Sequence, residues 1–267
     1  MLADLLDRTG LVGRPEEYFR PEMRQLWFDE WRLGEAPGHD VHVAKAIASG
    51  TGPNGVFSVK LHWHHLTWLL GALRSLPDGA VALSDADLLA RWLPNPRYVQ
   101  IRRDDPGRQA VSYYRAIHSG EWFAFEGEQE KGGVLGAAID PSSEFPGPDL
   151  WQIRWLEELI VEQQRQWTAY FEESRIRPLD VDYEELVSKP AETVRRVLDF
   201  LEVAPPPGFV VSKSALIKQS DHLSAAWLDC YLEHRDSLGS GLRPWPEASN
   251  EPGRQPGSAA GPWVAPS

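Results

Sequence analysis

The stretch that decides the fold is Tyr98-Val-Gln-Ile-Arg102 followed by Arg103-Asp-Asp-Pro-Gly-Arg-Gln-Ala-Val-Ser-Tyr-Tyr-Arg115. The first part predicts a short strand, and the second predicts a helix over 105–118. In an open parallel sheet, ligands bind at the carboxyl ends of the strands. A helix N-terminus there offers backbone N–H groups, and arginine offers forked donors that match a phosphate. The stretch therefore predicts an anion site, although its arginines can equally form salt bridges on an acidic surface.

Strands and helices alternate on both sides of this stretch. The patterns predict further strands at 56–62 and 177–183, and helices at 1–9, 21–33, 41–49, 64–75, 88–93 and 153–174 and from 190 onward. Strands separated by helical stretches need crossover connections. We therefore predict an α/β fold whose parallel sheet is covered by helices on both faces.

The composition excludes several classes of protein. The chain has 267 residues, a formal net charge of -12 and one cysteine, Cys230, so an internal disulfide and a cysteine-based zinc site are excluded. The acidic charge argues against binding to nucleic acid or anionic membranes. Without a long apolar run or a secretory signal, the protein is predicted to be cytoplasmic. We predict one domain over 1–236 and a disordered tail over 237–267, where Gly, Pro and Ser dominate.

A carboxylate beside an aromatic pair is a candidate for catalysis. Glu16 and Glu17 precede Tyr18 and Phe19, just after a break that contains glycine. Partial desolvation would raise the pKa of such a carboxyl group, which suits a general base that acts on a sugar hydroxyl. The alternative is that both carboxylates are simply solvated, as most glutamate pairs are.

Three histidines, at positions 62, 64 and 65, form a second group of interest. Their spacing matches no common zinc pattern and no carboxylate is close to them in the sequence, so we predict no metal site. Trp63 and Trp68 indicate an aromatic packing surface or a wall on which a sugar stacks. The chain also lacks the glycine-rich dinucleotide and P-loop motifs, the Gly-x-Ser-x-Gly hydrolase motif and the His-Glu-x-x-His zinc motif.

Motifs spread over residues 2–235 resemble the trehalose 2-sulfotransferase family of actinobacterial carbohydrate sulfotransferases. Gly13-Arg-Pro-Glu-Glu-Tyr-Phe19 resembles the family's acceptor-site element. Pro53-Asn-Gly-Val-Phe-Ser-Val-Lys-Leu-His-Trp63 resembles its Asn-Gly-Val strand, which ends in Lys-Leu-x-Trp. Arg103-Asp-Asp-Pro-Gly-Arg-Gln-Ala-Val-Ser112 resembles its 3'-phosphate element, and Lys218-Gln-Ser-Asp221 resembles a stretch expected near the donor nucleotide.

The resemblance implies a reaction and a set of site residues. The reaction is transfer of a sulfonyl group from 3'-phosphoadenosine 5'-phosphosulfate (PAPS) to a carbohydrate hydroxyl, for example of trehalose, without a metal. The resemblance implies that Glu17 is the catalytic base. It implies that the donor is bound by Arg103, Ser112, Lys218 and Gln219, and the acceptor by Tyr18, Phe19, Lys60 and Trp63. Family members can also dimerise, so a homodimer is compatible with the resemblance.

One departure from the family pattern concerns the start of the sequence. In the family, a strand and a Ser/Thr-rich loop that cradles the 5'-phosphosulfate precede the helix that begins here at Met1. We therefore expect a P-loop-NTPase-like sulfotransferase fold that lacks its first strand and phosphate loop. A start codon placed too late would explain this truncation. The alternative function is an inactive relative that binds a nucleotide or a sugar.

Overall fold

The computed structural model describes residues 1–34, 37–76, 82–119, 124–125, 148–211, 216–217 and 222–239. The helices of these ranges are α1 (Leu2–Asp7), α2 (Arg24–Glu30), α3 (His39–Gly50), α4 (Trp63–Arg74), α5 (Asp85–Trp92), α6 (Pro106–Ser119), α7 (Leu150–Glu173), α8 (Tyr183–Ser188), α9 (Pro190–Phe200) and α10 (His222–His234). The strands are β1 (Val99–Arg102), β2 (Ala124–Phe125), β3 (Leu179–Asp182) and β4 (Leu216–Ile217). Short 3-10 helices cover Pro21–Met23 and Arg235–Leu238. None of the helices described here is both long and apolar enough to cross a membrane.

The chain separates into two compact units. The first consists of residues 1–102 and 166–214, and the second of residues 103–165 and 215–267. The boundaries therefore fall between residues 102 and 103, just before α6, between residues 165 and 166, within α7, and between residues 214 and 215. The prediction of one domain over 1–236 stays a prediction, and residues 240–267 of the predicted tail lie outside the described ranges.

A small parallel sheet lies in the first unit. β1 and β3 run parallel, with Val99 opposite Leu179 and Arg102 opposite Asp182. Parallel strands need a long connection between them, and here the chain between β1 and β3 includes α6 and α7. This helix-rich structure with a parallel pair of strands is consistent with the predicted α/β class.

The prediction of a continuous strand over 56–62 is wrong. Phe57 forms an isolated antiparallel bridge with Thr51, and Val59 forms an isolated parallel bridge with Glu16. Each neighbouring segment meets this stretch at a single bridge, so no run of consecutive hydrogen bonds builds up. The stretch ends where α4 begins at Trp63.

Two apolar clusters form the core of the first unit. The first cluster is dominated by α4, whose buried leucines recur at helical spacing and so line one face. Its fully buried side chains include Tyr18, Phe19, Leu66, Leu69, Leu73 and Leu88. The second cluster joins α1 to β3, α8 and α9. Its buried side chains include Leu2, Leu5, Val181, Leu186, Val194, Val197 and Leu198.

The second unit contains a buried carboxylate among the side chains of α7 and α10. Glu157 is only 6% exposed, and it accepts a hydrogen bond of 2.5 Å from the hydroxyl of Tyr231. Arg154 and Arg235 donate to the same carboxylate at 3.2 and 3.3 Å. A buried charge is costly unless it is paired and hydrogen-bonded. The three donors meet that requirement for Glu157.

A close backbone approach at Gly13 shapes the segment that leads to Glu17. Gly13 has a φ of +75°, a conformation that residues with a Cβ rarely adopt. A Cβ at this position would lie 2.1 Å from the carbonyl oxygen of Gly50 and 2.6 Å from that of Val56. The next residue, Arg14, donates its backbone N–H to the Gly50 oxygen at 3.0 Å. The contact is therefore part of the packing of this turn against residues 50–56.

We expect Gly13→Ala to lower the free energy of unfolding by at least about 2 kcal/mol, because backbone strain and a steric clash add. Gly10→Ala is the matched control, since Gly10 has a φ of +65° but no atom within 4 Å of a built Cβ. That variant has the backbone strain without the clash, so its free energy of unfolding should fall by about 1 kcal/mol. Denaturant unfolding of both variants measures the difference, and equal losses would contradict the role of the close approach.

Candidate active site

Backbone pairing brings the segment of Glu17 beside the segment of Lys60. Glu16 bridges Val59 in parallel, and the backbone N–H of Lys60 donates to the Glu16 carbonyl at 3.0 Å. Residues 16–17 and 59–62 are thus adjacent although α2 and α3 lie between them in the sequence. Glu17 therefore faces side chains that come from a distant part of the chain.

Two buried side chains, those of Trp27 and His42, form hydrogen bonds with the backbone carbonyls of Glu17 and Tyr18. The indole N–H of Trp27 donates to the Glu17 carbonyl at 3.3 Å. Nε2 of His42 lies 2.9 Å from the Tyr18 carbonyl oxygen, which can only accept, so the proton of this imidazole lies on Nε2. Burial lowers the pKa of His42 to about 4, so its imidazole is neutral at pH 7. Both contacts restrict the conformations available to Glu17.

The Glu17 cluster consists of Glu17, Lys60, His62 and Arg20. Nζ of Lys60 lies 2.6 Å from Oε1 of Glu17, and Nε2 of His62 lies 3.3 Å from the same oxygen. NH1 of Arg20 donates to Oε2 at 3.2 Å. Both carboxylate oxygens therefore face nitrogen donors, two of which belong to basic side chains.

The two neighbouring glutamates have opposite pKa shifts. Burial alone would raise the pKa of Glu17, but the hydrogen bond from His62 and the charge of Lys60 outweigh it and hold that pKa well below its usual range. Burial raises the pKa of Glu16 above its usual value. The expectation of a raised pKa is thus wrong for Glu17, because its partners stabilise the charged form more strongly than burial disfavours it.

The predicted acceptor residues fall into two groups. Tyr18 and Phe19 are fully buried in the apolar core, and the Tyr18 hydroxyl donates to the Arg14 carbonyl at 3.0 Å. In this arrangement they pack in the core, and their assignment to the acceptor stays a prediction. Trp63 and Lys60 are only partly buried, and the Trp63 ring packs edge-on against Trp167 with centroids 5.3 Å apart. Of the four residues, only this second group is partly exposed in the structure.

The three histidines do have a carboxylate nearby in space. One potential ligand atom from each of Glu22, His64 and His65 lies within 4.8 Å of the others. However, the backbone N–H of His62 donates to Nδ1 of His65 at 3.3 Å, so the proton of a neutral His65 lies on Nε2. Nε2 of His65 is then not free to ligate. The absence of a metal stays a prediction.

The predicted donor residues lie in the second unit or outside the described residues. Arg103 precedes α6 and is partly buried, whereas Ser112 is exposed within α6. At the start of this helix, Oδ1 of Asp105 accepts the backbone N–H of Arg108 at 2.8 Å, so the helix end is capped by an acidic side chain. Lys218 and Gln219 lie outside the described residues.

The alternative interpretation of the arginines as salt-bridge partners is confirmed for two of them. Nε of Arg102 lies 2.9 Å from Asp180, and Nε of Arg108 lies 3.6 Å from Asp105. Arg115 instead donates to the hydroxyl of Ser224 at 2.9 Å.

His62 and Arg20 were not predicted as partners of Glu17. A signal for each was present. Arg20 follows Glu17 by three residues, and His62 follows Lys60 by two, so that Lys60 and His62 share a face of an extended segment. Their common partner could not be identified, because the pairing of 16–17 with 59–62 is not encoded by local spacing.

We expect Glu17→Gln to make stability less dependent on acidic pH. A lowered pKa in the folded state adds stability above the unfolded pKa of about 4.3, and protonation removes it as the pH falls. Between pH 6 and pH 3 the wild-type chain should lose about 1–2 kcal/mol more than Glu17→Gln. Urea unfolding at several pH values measures this. Glu192→Gln is the control, because that carboxylate is exposed and lies 3.9 Å from Lys189; parallel pH curves for wild type and Glu17→Gln would contradict the expectation.

Comparison with known proteins identifies the family of the chain. Residues 1–234 match the family model described as Stf0 sulphotransferase. The chain is 27% identical to a trehalose 2-sulfotransferase of Mycolicibacterium smegmatis over 267 residues, which cover 91% of this chain and 92% of the relative. It is also 27% identical to a trehalose 2-sulfotransferase of Mycobacterium tuberculosis, over 90% of this chain and 92% of the relative. The resemblance predicted from the motifs is thus confirmed, and the chain belongs to the Stf0 sulphotransferase family.

Proposed function

We propose that the chain transfers a sulfonyl group from PAPS to a hydroxyl of a carbohydrate such as trehalose, with no metal. The Glu17 cluster is the observation that carries the proposal, because it places an amine and an imidazole within 3.3 Å of one carboxylate oxygen in a partly exposed position. Membership of a sulfotransferase family and the names of the two trehalose 2-sulfotransferases support the reaction class and the sugar.

The chemistry needs little beyond positioning, charge stabilisation and removal of one proton. The acceptor oxygen bonds to sulfur as the bond between sulfur and the phosphate oxygen of the donor breaks. By analogy with phosphoryl transfer, fixed cations stabilise the charge that spreads over the equatorial oxygens. Lys60 is suited to this role, since its side chain is 40% exposed and held at Glu17. Removal of the hydroxyl proton depends on Glu17.

Donor recognition is assigned to Arg103 and Ser112. An arginine fork can bind the 3'-phosphate in two parallel hydrogen bonds, and a hydroxyl adds a third. A donor without this phosphate would leave the charged fork unmatched, which gives discrimination as well as affinity. Lys218 and Gln219 are assigned to the nucleotide on the strength of the family resemblance.

The first experiment tests transfer with the full chain, radiolabelled PAPS and trehalose, with the product identified by mass. We expect donor-dependent sulfated sugar from the wild type and a loss of about 100-fold or more in kcat for Glu17→Gln. Glu30→Gln should keep the wild-type rate, because that carboxylate is half exposed and lies 3.6 Å from Arg14. Nucleotide or sugar binding without transfer by the wild type would instead establish the non-catalytic alternative.

The second experiment tests the donor site. Arg103→Ala should raise the KM for PAPS about 10- to 100-fold, the size expected for hydrogen bonds to a charged group. It should also reduce the preference for PAPS over adenosine 5'-phosphosulfate, which lacks the 3'-phosphate. Arg91→Ala, a change at an exposed position in the last turn of α5, should alter neither quantity. An unchanged preference in Arg103→Ala would remove this residue from the donor site.

A further inference from the structure

The first turn of α6 lies between the two residues assigned to the 3'-phosphate. Arg103 lies three residues before the helix begins at Pro106, and Ser112 is exposed further along the helix. Asp105 already accepts the backbone N–H of Arg108 at 2.8 Å, so that N–H is not available to an anion. Recognition of the phosphate at this helix start therefore falls mainly on side chains, and their positions depend on where the first turn lies.

One face of α6 packs into the core of the second unit. Gly107, Ala110, Val111 and Tyr114 are buried, and their spacing is that of a single helix face. The last three pack in one apolar cluster with side chains of α7 and α10. This packing holds the middle of the helix, whereas Gly107 gives the first turn no side chain of its own.

The carboxylate of Glu157 lies against that first turn. A Cβ built on Gly107 would lie 3.3 Å from Oε1 of Glu157 and 3.5 Å from the Tyr231 ring. Both distances are short for a new carbon atom in a packed interior. Gly107 therefore lets the helix start approach the carboxylate and the ring more closely than a residue with a side chain could without displacing them.

Three donors hold the Glu157 carboxylate in one orientation. The Tyr231 hydroxyl donates to Oε2 at 2.5 Å, and Arg154 donates to the same oxygen at 3.2 Å. Arg235 donates at 3.3 Å to Oε1, the oxygen that faces Gly107. Burial and the hydrogen bond to Glu157 raise the pKa of Tyr231, so its hydroxyl keeps the proton that it donates.

Stability alone does not account for a buried carboxylate at this position. Taking charges out of water is costly, and well-packed apolar side chains of similar volume are often at least as stabilising as a buried ion pair. Hydrogen bonds add direction, because each needs a particular distance and angle between donor and acceptor. The network around Glu157 therefore links α7 and α10 to the start of α6 in one geometry.

We propose that Glu157 is a positioning residue of the donor site, which holds the first turn of α6 so that Arg103 and Ser112 meet the 3'-phosphate together. This inference rests on the proposed sulfonyl transfer from PAPS. Glu157 is buried, so it acts on the donor only through the backbone at Gly107. Loss of the network should weaken recognition of the 3'-phosphate and leave the acceptor site unaffected.

The test measures the KM for PAPS, the KM for the sugar and the preference for PAPS over adenosine 5'-phosphosulfate. Glu157→Gln keeps the shape of the side chain and removes its charge, so the two arginines lose their charged partner. We expect the KM for PAPS to rise about 10-fold and the preference to fall by a similar factor, with the KM for the sugar unchanged. Glu162→Gln is the matched control, because Glu162 lies on the same helix and pairs with the exposed Arg165 at 2.7 Å. It should leave all three quantities at their wild-type values.

Two milder variants test the same contact if Glu157→Gln folds poorly. Tyr231→Phe removes one donor to the carboxylate, keeps the ring and should raise the KM for PAPS about threefold. Gly107→Ala places a methyl group 3.3 Å from Oε1 of Glu157 and should raise that KM as well. Alanine favours a helix more than glycine does, so this second variant should weaken donor binding without a matching loss of stability in urea unfolding. Wild-type KM values for PAPS in both variants would contradict the inference.

A double variant shows whether Glu157 acts through Arg103. Adding Glu157→Gln to Arg103→Ala should raise the KM for PAPS by less than about twofold, because the main group that it positions is already gone. If the two changes instead multiply, Glu157 affects the donor independently of Arg103 and the positioning role is wrong.

The outcomes distinguish the inference from the proposed function. If the wild type transfers the sulfonyl group and a folded Glu157→Gln keeps the wild-type KM for PAPS, or binds PAPS and sugar more weakly by equal factors, the inference is overturned while the function stands. If the wild type shows no transfer, the proposed function fails. Calorimetric binding of adenosine 3',5'-bisphosphate, which carries the same 3'-phosphate, then tests the inference directly. Weaker binding by Glu157→Gln and Tyr231→Phe than by the wild type supports it, and equal binding, or no binding by any of them, overturns it.

Discussion

The pairing of Glu16 with Val59 is the constraint on which the candidate site depends. This single parallel bridge, with the hydrogen bond from Lys60 to the Glu16 carbonyl, sets Glu17 opposite the alternating side chains of Lys60 and His62. The segment enters this pairing from the turn at Gly13, where the backbone approaches Gly50 too closely for a side chain. The chemistry of the cluster thus follows from a backbone contact in which no catalytic atom takes part.

The opposite pKa shifts of Glu16 and Glu17 show how strongly neighbouring side chains determine the pKa of a carboxyl group. The two residues are adjacent and both lose solvent, but only Glu17 meets Lys60 and His62 at hydrogen-bond distance. Burial favours the neutral acid, whereas donors and cations favour the anion. For Glu17 the donors outweigh burial, so its pKa is lowered while that of Glu16 is raised.

Helical periodicity predicted most of the helices closely but not α8 or α10, and long-range pairing accounts for most of the other errors. The expected helix over 64–75 is Trp63–Arg74 in the structure, and that over 105–118 is Pro106–Ser119. The stretch 56–62 was expected to be a strand. Its sequence pattern indicates an extended backbone, but it does not show how many residues of other segments pair with it. Lys60 and Glu17 were both named as site residues, while the fact that they bind each other depends on packing between segments distant in sequence.

The contact between Gly13 and Gly50 also affects when the site can form. Thirty-six residues separate the two glycines, and α2 and α3 lie within that interval. Bringing such distant residues together costs loop entropy before any contact compensates for it. The Glu17 cluster therefore cannot assemble as a local hairpin during synthesis, because it needs residues as far along the chain as His62. A chain in which residues 16–17 and 59–62 have not yet paired would contain every residue of the cluster, but these residues would not lie within hydrogen-bond distance of one another.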